Sequence, residues 1–139
     1  MKFTALLLFL FIAQLTFAQS HYLFAGTYTH DQKSKGIYVY TFNSVTGETR
    51  FISSIFTENP TFLTFSPDNR YVYAVNETDS GRGSISSFSF DKKGKLNYIS
   101  KQLTNGDAPC YVEINRSNKW AVVANYSGGN FSVFPILKD

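Results

Sequence analysis

Cysteine is all but missing from this chain: Cys110 stands alone, so no disulfide can close within it, and its expected role is that of a small buried apolar residue. Histidine is nearly as scarce. The two histidines and Cys110 sit at unrelated spacings, so a transition-metal centre and any other cofactor are not expected. No glycine-rich loop opens a helix in the manner of a phosphate cradle. Charge is also sparse, at 17% of residues, and the Lys and Arg are scattered, so the formal +3 marks no nucleic-acid or membrane footprint. One Met and one Trp stand against 14 Phe and 9 Tyr, a balance that favours half-buried pleated surfaces over helices. No segment keeps a 3.6-residue apolar period, and the expected fold class is all-β.

The one sustained apolar run lies at the start. Lys2 is followed by apolar residues from Ala5 to Ala13 and then by Thr16-Phe17-Ala18 before Gln19. A charged start, a short apolar middle and a small residue at the cut define a secretory signal peptide over residues 1–18, and the run is too short to span a bilayer comfortably. No cysteine follows to carry a lipid. The mature protein is therefore expected to be periplasmic or secreted, without a membrane anchor, and a monomer when full length.

Beyond the leader the chain repeats itself. Asn59-Pro-Thr-Phe-Leu-Thr-Phe-Ser-Pro-Asp-Asn-Arg-Tyr-Val-Tyr-Ala-Val-Asn76 aligns, 49 positions on, with Ala108-Pro-Cys-Tyr-Val-Glu-Ile-Asn-Arg-Ser-Asn-Lys-Trp-Ala-Val-Val-Ala-Asn125. Tyr22-Leu-Phe-Ala25 matches Tyr71-Val-Tyr-Ala74, and Gly36 to Phe42 matches Gly83 to Phe90 and Gly129 to Phe134. Each unit reads as four short strands, in the complete copy about Pro60–Phe65, Arg70–Asn76, Gly83–Phe90 and Leu96–Leu103. Between them lie turn signals such as Ser66-Pro-Asp-Asn69 and Asp91-Lys-Lys-Gly94. Such units bury their faces only against neighbours, which is the logic of a β-propeller of four-stranded antiparallel blades. The expected division is 19–58, a blade lacking its first strand; 59–107, a full blade; and 108–139, an incomplete one. About two and a half blades fall short of the four to eight that close a ring. The chain is accordingly expected to be the N-terminal part of a longer protein, inactive alone, with open sheet edges.

Several of these segments carry a family resemblance. Phe24-Ala-Gly-Thr-Tyr-Thr29, Asn59-Pro60 with Ser66-Pro67-Asp68, Tyr73-Ala-Val-Asn-Glu77, Ala108-Pro-Cys-Tyr111 and Val123-Ala-Asn-Tyr-Ser-Gly-Gly-Asn-Phe-Ser-Val133 resemble the seven-bladed propeller lactonases of the 6-phosphogluconolactonase and carboxymuconate cyclase type. The resemblance implies a seven-bladed ring and hydrolysis or closure of a lactone in its channel, without an obligatory metal. Where several members have His after Pro-Cys, this chain has Tyr111, which removes an acid–base group from that position.

Lactone hydrolysis needs an activated water, donors for the developing oxyanion, and cations if the substrate is anionic. Glu77, at a strand end, is the candidate base or hydroxyl binder; its alternative is a solvated loop acid. Asn76 and Asn125 recur at one blade position and either donate to substrate or cap their own turns. Tyr111 and Tyr126 either bind substrate in the channel or pack between blades. His30 falls in a polar loop and is expected to be exposed rather than catalytic. The main catalytic groups implied by the resemblance lie beyond residue 139. The expected partner is thus a small-molecule lactone, and export favours an unphosphorylated sugar or uronic lactone. The alternative is a non-catalytic exported propeller acting as a binding or surface scaffold.

Overall fold

The computed structural model describes residues 20–31, 33–78 and 80–137; the expected signal peptide lies outside the described residues. Ten strands follow one another: β1 (Ser20–Gly26), β2 (Gly36–Asn43), β3 (Thr49–Phe56), β4 (Pro60–Phe65), β5 (Tyr71–Asn76), β6 (Ser84–Phe90), β7 (Leu96–Leu103), β8 (Pro109–Ile114), β9 (Trp120–Asn125) and β10 (Asn130–Pro135). They form three antiparallel sheets in the orders β1-β2-β3, β4-β5-β6-β7 and β10-β9-β8, and no helix occurs among the described residues. This is the blade pattern of a partial propeller. The strands of the full copy match expectation within one residue, and the first strand, Ser20–Gly26, contains the repeat segment Tyr22 to Ala25.

The repeat extends to irregularities. Register shifts fall at Pro60/Phe62 in β4 and at Pro109/Tyr111 in β8, which are the same position 49 residues apart. Others fall at Val39/Tyr40 and Ser87/Phe88, again equivalent. Asn69 and Asn118 both adopt left-handed φ, 56° and 53°, in their turns, as Gly47 and Gly94 do at 76° and 85°. One expectation is corrected here. Cys110, the unpaired residue at the bulge between Pro109 and Tyr111 in β8, is exposed on the third blade, whereas Thr61 at the equivalent bulge of the second blade is partly buried.

Each blade is two-sided because side chains alternate along a strand. In β5, Val72 and Ala74 enter a cluster with Ile37, Val39, Phe88 and Leu96 that joins the first blade to the second. Tyr73 and Val75 point the other way, into a cluster with Ile85, Val112, Ile114, Ala121 and Val123 that joins the second to the third. With both faces buried, β5 is apolar almost throughout rather than alternating. Burial also raises the Tyr73 hydroxyl pKa above its ordinary value. Phe24 meets Phe65 and Phe90 edge-on at 4.8 and 5.1 Å, and Tyr22 meets Phe90 at 5.0 Å. Such pairs contribute about 0.5–1.5 kcal/mol each beyond their buried area.

The β4–β5 turn is tied by one carboxylate. Asp68 accepts from Ser66 Oγ at 2.6 Å and from Arg70 Nε at 2.7 Å, and these bonds hold its pKa down at about 2. A carboxyl depressed by folding stabilises the fold above its unfolded pKa, and that contribution disappears as pH falls through the folded value. The stability difference between wild type and Asp68→Asn is therefore expected in full above about pH 4 and to vanish towards pH 2. Chemical denaturation at pH 5 and pH 2 measures it; a pH-independent difference would contradict the assignment. Because the group is exposed, the effect is small.

Candidate functional site

Antiparallel strands in sequence order send alternate connections to opposite ends of the sheets. At one end lie the β2–β3, β4–β5, β6–β7 and β8–β9 turns, each closed on itself by a side chain. Asn43 Oδ1 accepts from Val45 and Thr46 N–H, Asp91 Oδ1 from Lys93 and Lys95 N–H, and Asn115 Oδ1 from Lys119 and Trp120 N–H. Their polar groups are satisfied locally. At the other end lie the β1–β2, β3–β4, β5–β6, β7–β8 and β9–β10 connections, and there the chain leaves a cleft of about 390 Å³. That volume falls within the range of small-molecule sites.

Three connections line this cleft: Tyr28 and His30 from β1–β2, Glu58 and Asn59 from β3–β4, and Glu77, Thr78 and Arg82 from β5–β6. Their charges are not equivalent. Glu58 is ion-paired with Lys101 at 3.3 Å, whereas neither Glu77 nor Arg82 forms an ion pair with a described residue. Tyr28 and His30 meet edge-on with ring centres 5.6 Å apart. The cleft thus offers one uncommitted carboxylate, one uncommitted guanidinium and an imidazole. A carboxylate can take a proton from water or hold a hydroxyl, and the guanidinium can donate to a developing oxyanion. Among the described residues, no cluster of His, Cys, Asp and Glu suits a metal ion.

Of the residues proposed from sequence as catalytic or substrate-binding, Glu77 alone lines the cleft. Asn76, the chain neighbour of Glu77, is absent from the lining and wholly buried. Its Nδ2 donates to Thr57 Oγ1 at 2.8 Å and to the Glu58 carbonyl, while its Oδ1 accepts from Ser86 Oγ at 2.6 Å. Every polar capacity shown by this amide is directed into protein. Asn125, the same position one blade on, is also buried; it donates to Asn130 Oδ1 at 2.8 Å and Ser132 Oγ at 3.2 Å. Tyr126 is exposed in the β9–β10 turn, and Tyr111 packs on Phe62 at 4.9 Å with its hydroxyl 3.4 Å from Glu113. These three belong to the third blade and lie outside the cleft lining. His30 is exposed, as expected, yet it faces the cleft. Tyr28, Glu58, Asn59, Thr78 and Arg82 escaped the reading from sequence. The repeat held one clue: Tyr28, Glu77 and Tyr126 are spaced by 49 and so occupy one position in successive blades.

Residues 22–139 match the family described as "Lactonase, 7-bladed beta-propeller". The chain belongs to that family. A 6-phosphogluconolactonase of Formosa agariphila is 33% identical over 117 residues, covering 82% of this chain and 33% of the relative. A Bacteroides fragilis crystal structure, provisionally assigned as a 6-phosphogluconolactonase, superposes with a TM-score of 0.81 at 42% identity, covering 89% of this chain and 34% of that one. The periplasmic gluconolactonase of Pseudomonas aeruginosa superposes with a TM-score of 0.78 at 34% identity, covering 86% and 35%. This lactonase-family chain spans about a third of the length of the relatives it matches.

Proposed function

We propose that this chain is the N-terminal part of an exported lactonase that opens a sugar lactone at the rim described above, and that it is inactive alone. The observation that carries this reading is the uncommitted Glu77 carboxylate sharing one cleft with Arg82 and His30 on the open rim of a lactonase-family propeller. Glu77 accepts a proton from water as its oxygen attacks the lactone carbonyl, and N–H groups of Arg82 or His30 donate to the developing oxyanion. Collapse of that intermediate breaks the ring C–O bond, and the proton held by Glu77 passes to the departing oxygen. Water is thereby added across the ester, giving the open hydroxy acid with no other reactant. Further groups come from blades beyond residue 139.

Export is supported by the leader-like residues 1–18 and by the periplasmic location in the name of the Pseudomonas aeruginosa relative. An exported enzyme meets unphosphorylated sugar or uronic lactones. The full-length protein is expected to accelerate proton release from glucono-1,5-lactone well above the spontaneous rate, followed with a pH indicator in weak buffer. No acceleration with sugar, uronic or phosphorylated lactones would overturn the reading and leave the binding scaffold in its place.

A further inference from the structure

Asn59 is the junction of all three connections that line the cleft. Its Oδ1 accepts from Thr29 N–H at 2.9 Å and from Thr29 Oγ1 at 3.2 Å, while its own N–H donates to Thr29 Oγ1 at 3.1 Å. On its other side the Asn59 carbonyl accepts the Glu77 N–H at 3.0 Å, and its Nδ2 donates to the Glu77 carbonyl at 3.1 Å. One side chain therefore fixes the Glu77 backbone against the loop that presents Tyr28 and His30.

The next blade supplies an internal comparison, because Ala108 occupies the equivalent position. Its φ of 49° is close to the 39° of Asn59, and its carbonyl still accepts the Tyr126 N–H at 2.9 Å. The left-handed backbone and the strand-end bond thus do not require an asparagine. What Ala108 lacks is the amide, and Thr78 Oγ1, the counterpart of Thr29 Oγ1, is buried there without a hydrogen bond. The full clamp exists at the interface whose rim carries the carboxylate and is absent from the interface where Tyr126 takes that place. We infer that Asn59 is a positioning residue for the reaction proposed above, holding the Glu77 carboxylate in register with the groups of the neighbouring blade.

The inference rests on the lactonase reading, and variants of the full-length protein separate the two. Asn59→Ala is expected to lower kcat for lactone opening by about 10²-fold, the scale of an ångström-sized misplacement, with a smaller change in KM. Asn59→Asp keeps the acceptor for Thr29, loses the donor to the Glu77 carbonyl, and is expected to fall between. Ala108→Asn offers Thr78 Oγ1 a partner and is expected to raise Tm by a few degrees with kcat unchanged. In the Asn59→Ala/Ala108→Asn double variant Tm returns towards wild type while kcat stays low. A kcat within twofold of wild type in Asn59→Ala, or one that recovers with Tm in the double variant, would overturn the inference. If the wild-type protein opens no lactone, the functional reading fails by itself and amide hydrogen exchange decides on the clamp. Faster exchange at Thr29 and Glu77 in Asn59→Ala supports it, and unchanged exchange at both overturns it.

Discussion

Glu77→Gln in the full-length protein is expected to lower kcat for lactone opening by about 10²- to 10⁴-fold, the contribution of a positioned general base, with Tm nearly unchanged. The two halves of this expectation have separate causes. Gln matches Glu in volume, and the bonds that hold residue 77 to Asn59 use its main-chain N–H and C=O, which the substitution leaves in place. The variant therefore loses a proton acceptor without losing a fold contact. Steady-state kinetics with thermal melts measures both. A raised KM with kcat retained would assign Glu77 to holding a substrate hydroxyl, and unchanged kinetics would move the base to another blade. Glu58→Gln is the matched control, since that carboxylate is committed to Lys101 and lies partly exposed.

The fold was legible because a propeller blade repeats its constraints. Pro60 with Pro109, Asn69 with Asn118 and Gly47 with Gly94 mark bulges and left-handed turns that recur 47 or 49 residues apart, and repetition separates such signals from accident. Two-sided burial was expected only from the repeat, since small sheets bury their faces against neighbours; that β5 is apolar on both faces from Tyr71 to Val75 is what the structure adds. What escaped depended on geometry between blades. Cys110 looked like a buried small residue by type, yet it is exposed on the third blade, while Thr61 at the same bulge is shielded by the blade packed against it. For Asn76 and Asn125 the repeat left substrate binding and turn capping open, and only the structure shows Ser86 and Ser132 against their amides from the neighbouring strand.

The cleft itself was only partly legible. Glu77 stood out as a carboxylate at a strand end, but Arg82, His30 and Tyr28 reach the same space from connections whose separation in sequence says nothing about their approach. The repeat aligns Asn59 with Ala108, which makes the position look tolerant. Only the hydrogen bonds distinguish them, since the Asn59 amide spans two blades and the alanine cannot.

Gly26→Ala is expected to destabilise the protein by about 3 kcal/mol, at the upper end of overpacking costs, and to lower lactone-opening activity with it. A Cβ at this position would lie 2.0 Å from the Pro60 carbonyl oxygen and 2.9 Å from Leu63 Cδ1. Gly26 does not adopt a left-handed φ, so alanine meets no conformational penalty and the cost is one of space. Leu63 can rotate, but the Pro60 oxygen belongs to the backbone of β4, and relief requires β1 and β4 to separate. That movement carries the adjacent Asn59 with it and loosens its hold on Thr29 and Glu77. The 49-residue alignment places Val75, a wholly buried core residue, opposite Gly26, so the blade pattern alone accepts a large side chain there. The glycine is imposed by the neighbouring blade's backbone rather than by its own sheet. Urea denaturation of the full-length protein tests this: a lowered midpoint at unchanged m-value is expected. A stability within about 0.5 kcal/mol of wild type, the ordinary range for surface changes, would mean that β1 and β4 do not approach so closely in solution.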